Sequence, residues 1–170
     1  GNIGATNVFR CVGKGWGVAA FVLDAVKGFV PAFCFPRLME SAPDWLGLAC
    51  GVAAVAGHNW PVWLRFKGGK GVSTSVGMLL GIAPAAAGVG FLVFAVTVVL
   101  TRWVSLGSVL AAVAVPVAGL WFYGVAQPLL VRTPLLSGAL FAMGLLVVVK
   151  HRANLRRLLA GTEPRITGQK

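Results

Sequence analysis

The chain has 170 residues, of which 58% are hydrophobic and only 11% charged. Soluble domains are roughly 45–50% apolar and about 25% charged, so a water-soluble fold is excluded and lipid is the solvent that fits. The formal charge of +11 would point to nucleic acid in a soluble protein. Here the basic residues fall between apolar runs, which reads as one face of a membrane protein meeting anionic lipid heads or phosphorylated substrates.

The chain starts at Gly1 with neither Met nor a signal-peptide pattern, so a further segment is expected upstream. Trp16–Phe35 is the first apolar run and is long enough to span a bilayer. Asp24 and Lys27 lie inside it on one helix face, as a functional or a structural intramembrane pair. Trp45–Trp60 is a shorter run framed by indoles suited to the interface. Pro61–Gly71 follows with Arg65, Lys67 and Lys70.

Val72–Leu100 is apolar throughout. As a single helix it would be about 43 Å long at about 1.5 Å per residue, too long for a core of about 30 Å. Gly81, Pro84 and Gly88 interrupt it, so two crossings with a turn near Gly81–Pro84 are predicted. Ser105–Tyr123 and Pro134–Val149 complete the set, and the tail Lys150–Lys170 is basic and polar. The predicted fold class is all-α: one domain over 1–170, a polytopic membrane helix bundle with six spans in this chain.

Orientation follows from charge. With the N-terminus inside, the inner segments hold Arg10, Lys14, Arg65, Lys67, Lys70, Arg102 and the basic tail from Lys150 to Lys170. The outer segments hold only Arg37 and Arg132, with the acids Glu40 and Asp44. The excess of basic residues inside favours six spans with both ends cytoplasmic.

Three polar clusters interrupt the apolar pattern, all on the predicted cytoplasmic face. The first, GNIGATNVFR from Gly1 to Arg10, is rich in small and amide residues. It can bring backbone N–H groups to an anion or serve as a helix-capping juxtamembrane loop. The second is GHNWPVWLRFKGGKGVSTSVG from Gly57 to Gly77, three glycines around two lysines just before a helix. That arrangement suits phosphate, and the alternative is a basic loop touching lipid heads. It is not a Walker A loop, since Gly71 follows Lys70 and Leu64 stands five before Gly69. The third is HRANLRRLLAGTE from His151 to Glu163. His151 and Asn154 share a helical face that Arg157 continues, and a basic surface helix is the alternative.

Cys11, Cys34 and Cys50 form no CxxC pair and read as small apolar packing residues. His58, taken alone, reads as a hydrogen-bonded packing residue. No metal-ligand spacing is present, so neither metal nor cofactor is expected.

Together the three motifs, with WVSLGSVL from Trp103 to Leu110 between them, resemble in order and spacing the bacterial acylphosphate:glycerol-3-phosphate acyltransferase family. The resemblance covers essentially the whole chain. It implies a seven-helix membrane bundle at full length, the first helix lying upstream of Gly1 and ending in a Gly-Ser whose serine is a substrate-site residue. Leu155 stands where that family usually has Ile.

The resemblance further implies acyl transfer from acyl phosphate to the sn-1 hydroxyl of glycerol 3-phosphate, giving lysophosphatidate and phosphate in membrane phospholipid synthesis. Its implied catalytic residues are His151, Asn154 and Ser108. Its implied substrate and phosphate contacts are Asn2, Thr6, Asn7, Arg10, Lys67, Gly68, Gly69, Lys70 and Gly71. The proton acceptor is either His151 or a phosphate oxygen of the donor. The expected setting is the bacterial inner membrane with the site facing the cytoplasm. Membrane lipids are expected partners, nucleic acid is not, and a monomer is expected. The competing reading is a small transporter of anionic phosphorylated metabolites, which requires a polar path through the bilayer. A structural membrane-surface protein would not require three glycine- and amide-rich clusters.

Overall fold

The computed structural model describes residues 3–125 and 133–166, and among these every regular element is helical. The helices are α1 (Ala5–Cys11), α2 (Lys14–Arg37), α3 (Leu46–Asn59), α4 (Val72–Ile82), α5 (Pro84–Thr101), α6 (Val104–Gly119), α7 (Thr133–Lys150) and α8 (Arg152–Leu159). A short 3-10 turn, Val62–Leu64, lies between α3 and α4, and a π-helical segment, Leu120–Val125, continues α6. The six predicted runs correspond to α2 through α7. Among the described residues three helices, including α6 with its continuation, are long and apolar enough to cross a bilayer, or four if α7 and α8 count as one bent span. Trp16, Leu23, Phe91, Val99, Leu100 and Leu145 are all exposed, as lipid-facing side chains are in a membrane bundle.

The chain divides into two compact units, Gly1–Pro84 and Ala85–Lys170. In the first, α2 packs against α1, α3 and α4. The approach of α2 to α4 depends on Gly28 and Gly77: a β carbon at either would strike the partner helix's backbone carbonyl, Thr74 or Ala25. Small residues at such contacts let helix backbones close up where lipid offers no hydrophobic drive to association. Met78 is wholly buried and fills the space over Gly51 of α3.

The turn predicted near Gly81–Pro84 falls at Ala83, with φ −146° and ψ 59°. Pro84 fixes this break by disfavouring the α conformation of the residue before it, and it starts α5, where its missing N–H costs nothing.

In the second unit, α6 packs on α7, and α8 packs on both. Gly144 lets α7 reach the backbone of α6 at Ala112. The last two helices are bent by 55° at His151, so His151 and Asn154 do not lie on one continuous helix as the sequence reading had them. The reason is compositional: α7 is apolar to Val149, and the basic run from Lys150 is better placed at the interface than in hydrocarbon. Cys34 and Cys50 are half-buried, whereas Cys11 is exposed and its Sγ approaches Asn7 Oδ1 at 3.6 Å. Cys11 is therefore not the buried packing residue expected of it.

Candidate active site

Each unit carries one polar cluster, built at a helix break. In the first unit the cluster forms where α3 ends. The backbone leaves α3 at Trp60, and the Phe66 N–H returns to Pro61 O at 3.0 Å. Arg65 and Phe66 both adopt left-handed backbone angles, φ 52° and 62°. This tight reversal lays Gly68–Gly71 against the end of α3, where the Gly69 N–H donates to His58 O at 3.2 Å. That amide is therefore committed within the protein.

The glycines are dictated by crowding. A β carbon on Gly68 would meet the His58 carbonyl, and one on Gly69 would be driven into the His58 ring. Gly71 has φ 76°, and a β carbon there would lie 2.8 Å from Asn59 Oδ1. The left-handed angle at Gly71 launches α4, which has no side-chain cap. The first-turn N–H groups of a helix have no intrahelical acceptors and carry the positive end of its dipole. Beside them Asn59 is 0% exposed, and neither of its side-chain polar atoms has a hydrogen-bond partner. Thr74 and Ser75, in the first turn of α4, have buried hydroxyls in the same condition. Unsatisfied buried polar atoms are costly, and a cluster of them at a helix N-terminus is suited to an anion.

Of the predicted phosphate contacts, Gly68, Gly69, Lys70 and Gly71 are thus brought together, with Lys70 half-buried and Lys67 exposed. Thr6, Asn7 and Arg10 lie on α1, with Arg10 exposed. The segment that could contact an anion or serve as a helix-capping loop carries the short helix α1, with Gly4 as its N-cap and the Gly4 carbonyl accepting from Asn7 N and Val8 N. Asn2 lies outside the described residues. Below the glycine loop, Lys27 Nζ lies 2.5 Å from Asp24 Oδ1 and 2.7 Å from His58 Nδ1.

The second unit's cluster surrounds the α7–α8 bend. His151 is 3% exposed, and its Nδ1 lies 2.8 Å from Val147 O. A carbonyl can only accept, so in the neutral ring Nδ1 carries the proton and Nε2 the lone pair. Ser108 is buried on α6 with its hydroxyl donating to Val104 O at 2.9 Å.

Asn154, also buried, donates through Nδ2 to Glu163 Oε1 at 2.6 Å. The same oxygen accepts from Ser105 Oγ at 2.7 Å, and Arg157 Nε donates to Oε2 at 2.7 Å. Gly161, at φ 69°, turns the chain after α8 so that Glu163 folds back under it. The α8 carbonyls at Leu158 and Arg157 accept from Gly161 N and Thr162 N, a glycine-ended helix stop.

Burial alone would raise the Glu163 carboxyl. The hydrogen bonds from Asn154, Ser105 and Arg157, with the Arg157 charge, outweigh it and hold Glu163 below the ordinary glutamate value.

Glu163 and Asn59 both stand within the sequence motifs, where neither is assigned a role. An acid alone in a basic tail was the available signal for the first; nothing in composition distinguishes the second from an ordinary cap. Among the described residues no three His, Cys, Asp or Glu side chains are grouped to hold a metal ion.

The sequence profile of the glycerol-3-phosphate acyltransferase family matches residues 1–161. The glycerol-3-phosphate acyltransferase of Geobacter sulfurreducens is 42% identical over 97% of this chain and 80% of its own length. That of Anaeromyxobacter dehalogenans is 44% identical over 98% and 80%.

Among solved structures, the chain is similar to PlsY (YgiH), an integral membrane glycerol 3-phosphate acyltransferase. Its glycerol 3-phosphate form superposes with TM-score 0.83 at 38% identity, covering 97% of this chain and 78% of the other. Its lysophosphatidic acid form gives TM-score 0.82 at the same identity, covering 97% and 80%.

Proposed function

This chain belongs to the glycerol-3-phosphate acyltransferase family and is a membrane enzyme that acylates glycerol 3-phosphate, and we propose that its acyl donor is acyl phosphate and its products lysophosphatidate and inorganic phosphate. The observation that carries this reading is the uncapped start of α4, with Asn59, Thr74 and Ser75 buried and unpartnered behind a lysine-bearing glycine loop. Acceptor, donor and leaving group on this reading all carry phosphate, and a site rich in N–H donors and lysines suits them.

Lys70 and Lys67, with Arg10 of α1, supply positive charge. Thr6, Asn7 and, beyond the described residues, Asn2 supply polar contacts. The acyl chain lies against apolar helix surface. The mixed anhydride is already activated, so no acyl-enzyme is needed. The sn-1 hydroxyl oxygen attacks the acyl carbonyl carbon, the carbonyl–phosphate C–O bond breaks, and phosphate departs with the electron pair. The hydroxyl proton passes to His151 Nε2, the nitrogen left basic by the Nδ1–Val147 bond. Asn154 and Ser108 complete the hydroxyl-side site, and the cations stabilise charge on the departing phosphate. The enzyme works as a monomer in the bacterial inner membrane with this chemistry at the cytoplasmic face.

The test is an assay of the purified protein with acyl phosphate or acyl-CoA as sole donor, with and without a chelator. Turnover with acyl phosphate alone, unchanged by chelation, is expected. Comparable rates with acyl-CoA would overturn the donor assignment, and loss of activity on chelation would overturn the metal-free mechanism.

A further inference from the structure

Asp24 and Lys27 sit in α2, an apolar helix long enough to span a bilayer, where charge is expensive. Stability is a weak explanation for them, because Asp24 is 14% and Lys27 44% exposed and an ion pair between partly exposed groups contributes little. The reaction above leaves them without a role, and the same holds for His58, whose side chain is 3% exposed.

Their geometry connects them to the glycine loop. Lys27 Nζ lies within bonding distance of both Asp24 Oδ1, at 2.5 Å, and His58 Nδ1, at 2.7 Å. Asp24 Oδ1 is farther from that nitrogen, at 3.3 Å. An ammonium only donates, so Nδ1 is the acceptor and the imidazole proton resides on Nε2. Nε2 is the atom into which a Gly69 β carbon would be driven. The same residue's carbonyl already accepts the Gly69 N–H at 3.2 Å. His58 therefore meets Gly69 twice, its carbonyl accepting the Gly69 N–H and its ring packed against the glycine where a side chain would stand.

We propose that Asp24, Lys27 and His58 form a positioning relay: the carboxylate holds the ammonium, the ammonium fixes the imidazole as an Nε2–H donor, and that ring holds Gly68–Gly71 in its phosphate-binding shape. The relay explains why two intramembrane charges stand on α2 opposite the end of α3. It also explains why Gly69 has room for no side chain. The functional consequence rests on the phosphate reading of the loop; the tautomer does not.

Two measurements test it. Nitrogen NMR of the 15N-histidine-labelled protein reads the tautomer directly. The chain holds two histidines, so His151→Gln assigns the signals. A protonated Nε2 with an unprotonated Nδ1 is expected for His58 in wild type, and either the reverse tautomer or a doubly protonated ring overturns the relay.

Kinetics read the consequence. Lys27→Met is expected to raise KM for at least one phosphate substrate by about tenfold, the scale of one lost hydrogen bond, with kcat changed less. Lys27→Arg is expected to restore KM. His58→Gln, which keeps a donor near the Nε2 position, is expected to retain more affinity than His58→Asn. A lower melting temperature for Lys27→Met with both KM values unchanged would mark the trio as structural only and overturn the proposal. If Lys27→Met does not fold, the wild-type tautomer and the His58→Gln and His58→Asn pair decide the matter. Wild type inactive with acyl phosphate would instead sink the donor reading, while the tautomer would still test the relay.

Discussion

Glu163 receives Ser105, Asn154 and Arg157 on its two carboxylate oxygens, and its backbone carbonyl accepts from Trp103 Nε1 at 3.1 Å. It ties α6, α8 and the tail into one knot and orients the Asn154 amide. Glu163→Gln puts an amide where three donors converge, so a loss of about 1–3 kcal/mol in stability is expected, with reduced turnover. The sign of its pH dependence follows from the lowered folded-state pKa. The carboxylate's contribution is complete above the ordinary value of 4.5 and fades as pH falls through the lower folded value. The gap in melting temperature between wild type and Glu163→Gln should therefore be constant from neutrality down to about that value and close below it. A gap that persists undiminished in stronger acid would contradict the assignment.

Lysine and arginine residues divide in a similar way. Arg37 is occupied at the end of α2, donating to Phe33 O at 2.6 Å and stacking 3.6 Å over the Phe33 ring, whereas Lys70 sits in the glycine loop. Loss of a charge-assisted hydrogen bond worth about 1.5–3 kcal/mol predicts a tenfold to hundredfold drop in kcat/KM for Lys70→Ala. Arg37→Ala should change activity little, and equal small effects would reject the loop's role. The place of Lys70 in a glycine loop was legible because glycines flank it in sequence. Glu163 was not, because its significance depends on a turn at Gly161 that brings it back beneath α8.

At the scale of elements, the apolar runs gave six helices in the right order, and Pro84 marked the break between α4 and α5. Two features escaped pattern reading for physical reasons. α1 is too short and too polar to show a period, and it is held by its contact with α2, where a β carbon at Gly17 would collide with Phe9. The switch from apolar to basic residues at Lys150 marks where the last span ends, but the 55° angle of the bend is set by packing of α8 on α6 and α7, which no local propensity encodes. The glycines of the apolar helices also look alike in sequence and differ entirely in surroundings. Gly77 meets the α2 backbone at Ala25, while nothing lies within 4 Å of a β carbon at Gly88. Gly77→Ala must push two helix backbones apart and should destabilise by about 1–3 kcal/mol, as overpacking generally does. Gly88→Ala should be neutral or stabilise by up to about 1 kcal/mol through helix propensity. Thermal unfolding in a fixed detergent checks both, and similar shifts for the two would refute the close α2–α4 contact.

For the molecule as a whole, helices of unequal length must share one bilayer. α3 has 14 residues and α4 has 11, so at about 1.5 Å per residue they reach roughly 21 Å and 16 Å, well short of the core's roughly 30 Å. If α4 reaches the outer interface at Ala83, its N-terminus and the glycine loop lie part-way into the membrane. Irregular backbone is tolerated at that depth only where protein or water covers it, which is compatible with the proposed role of this loop in binding phosphate carried on an acyl chain. The parity of crossings then becomes decisive. The proposed topology has the loop at Arg65 on the cytoplasmic side, and on that proposal two crossings between Val72 and Thr101 return Arg102 and the tail to the same side. Were this stretch to cross once, Arg102 and the cluster from Lys150 to Arg157 would face the periplasm against the charge rule. Replacing the three native cysteines with serine and introducing Arg65→Cys or Arg156→Cys singly makes each position readable with an impermeant thiol reagent. Both side chains are exposed, so both should label from the cytoplasmic side in inverted vesicles and resist labelling in intact spheroplasts. Labelling of the Arg156→Cys protein in spheroplasts alone would overturn the two-crossing assignment, and with it the cytoplasmic placement of His151.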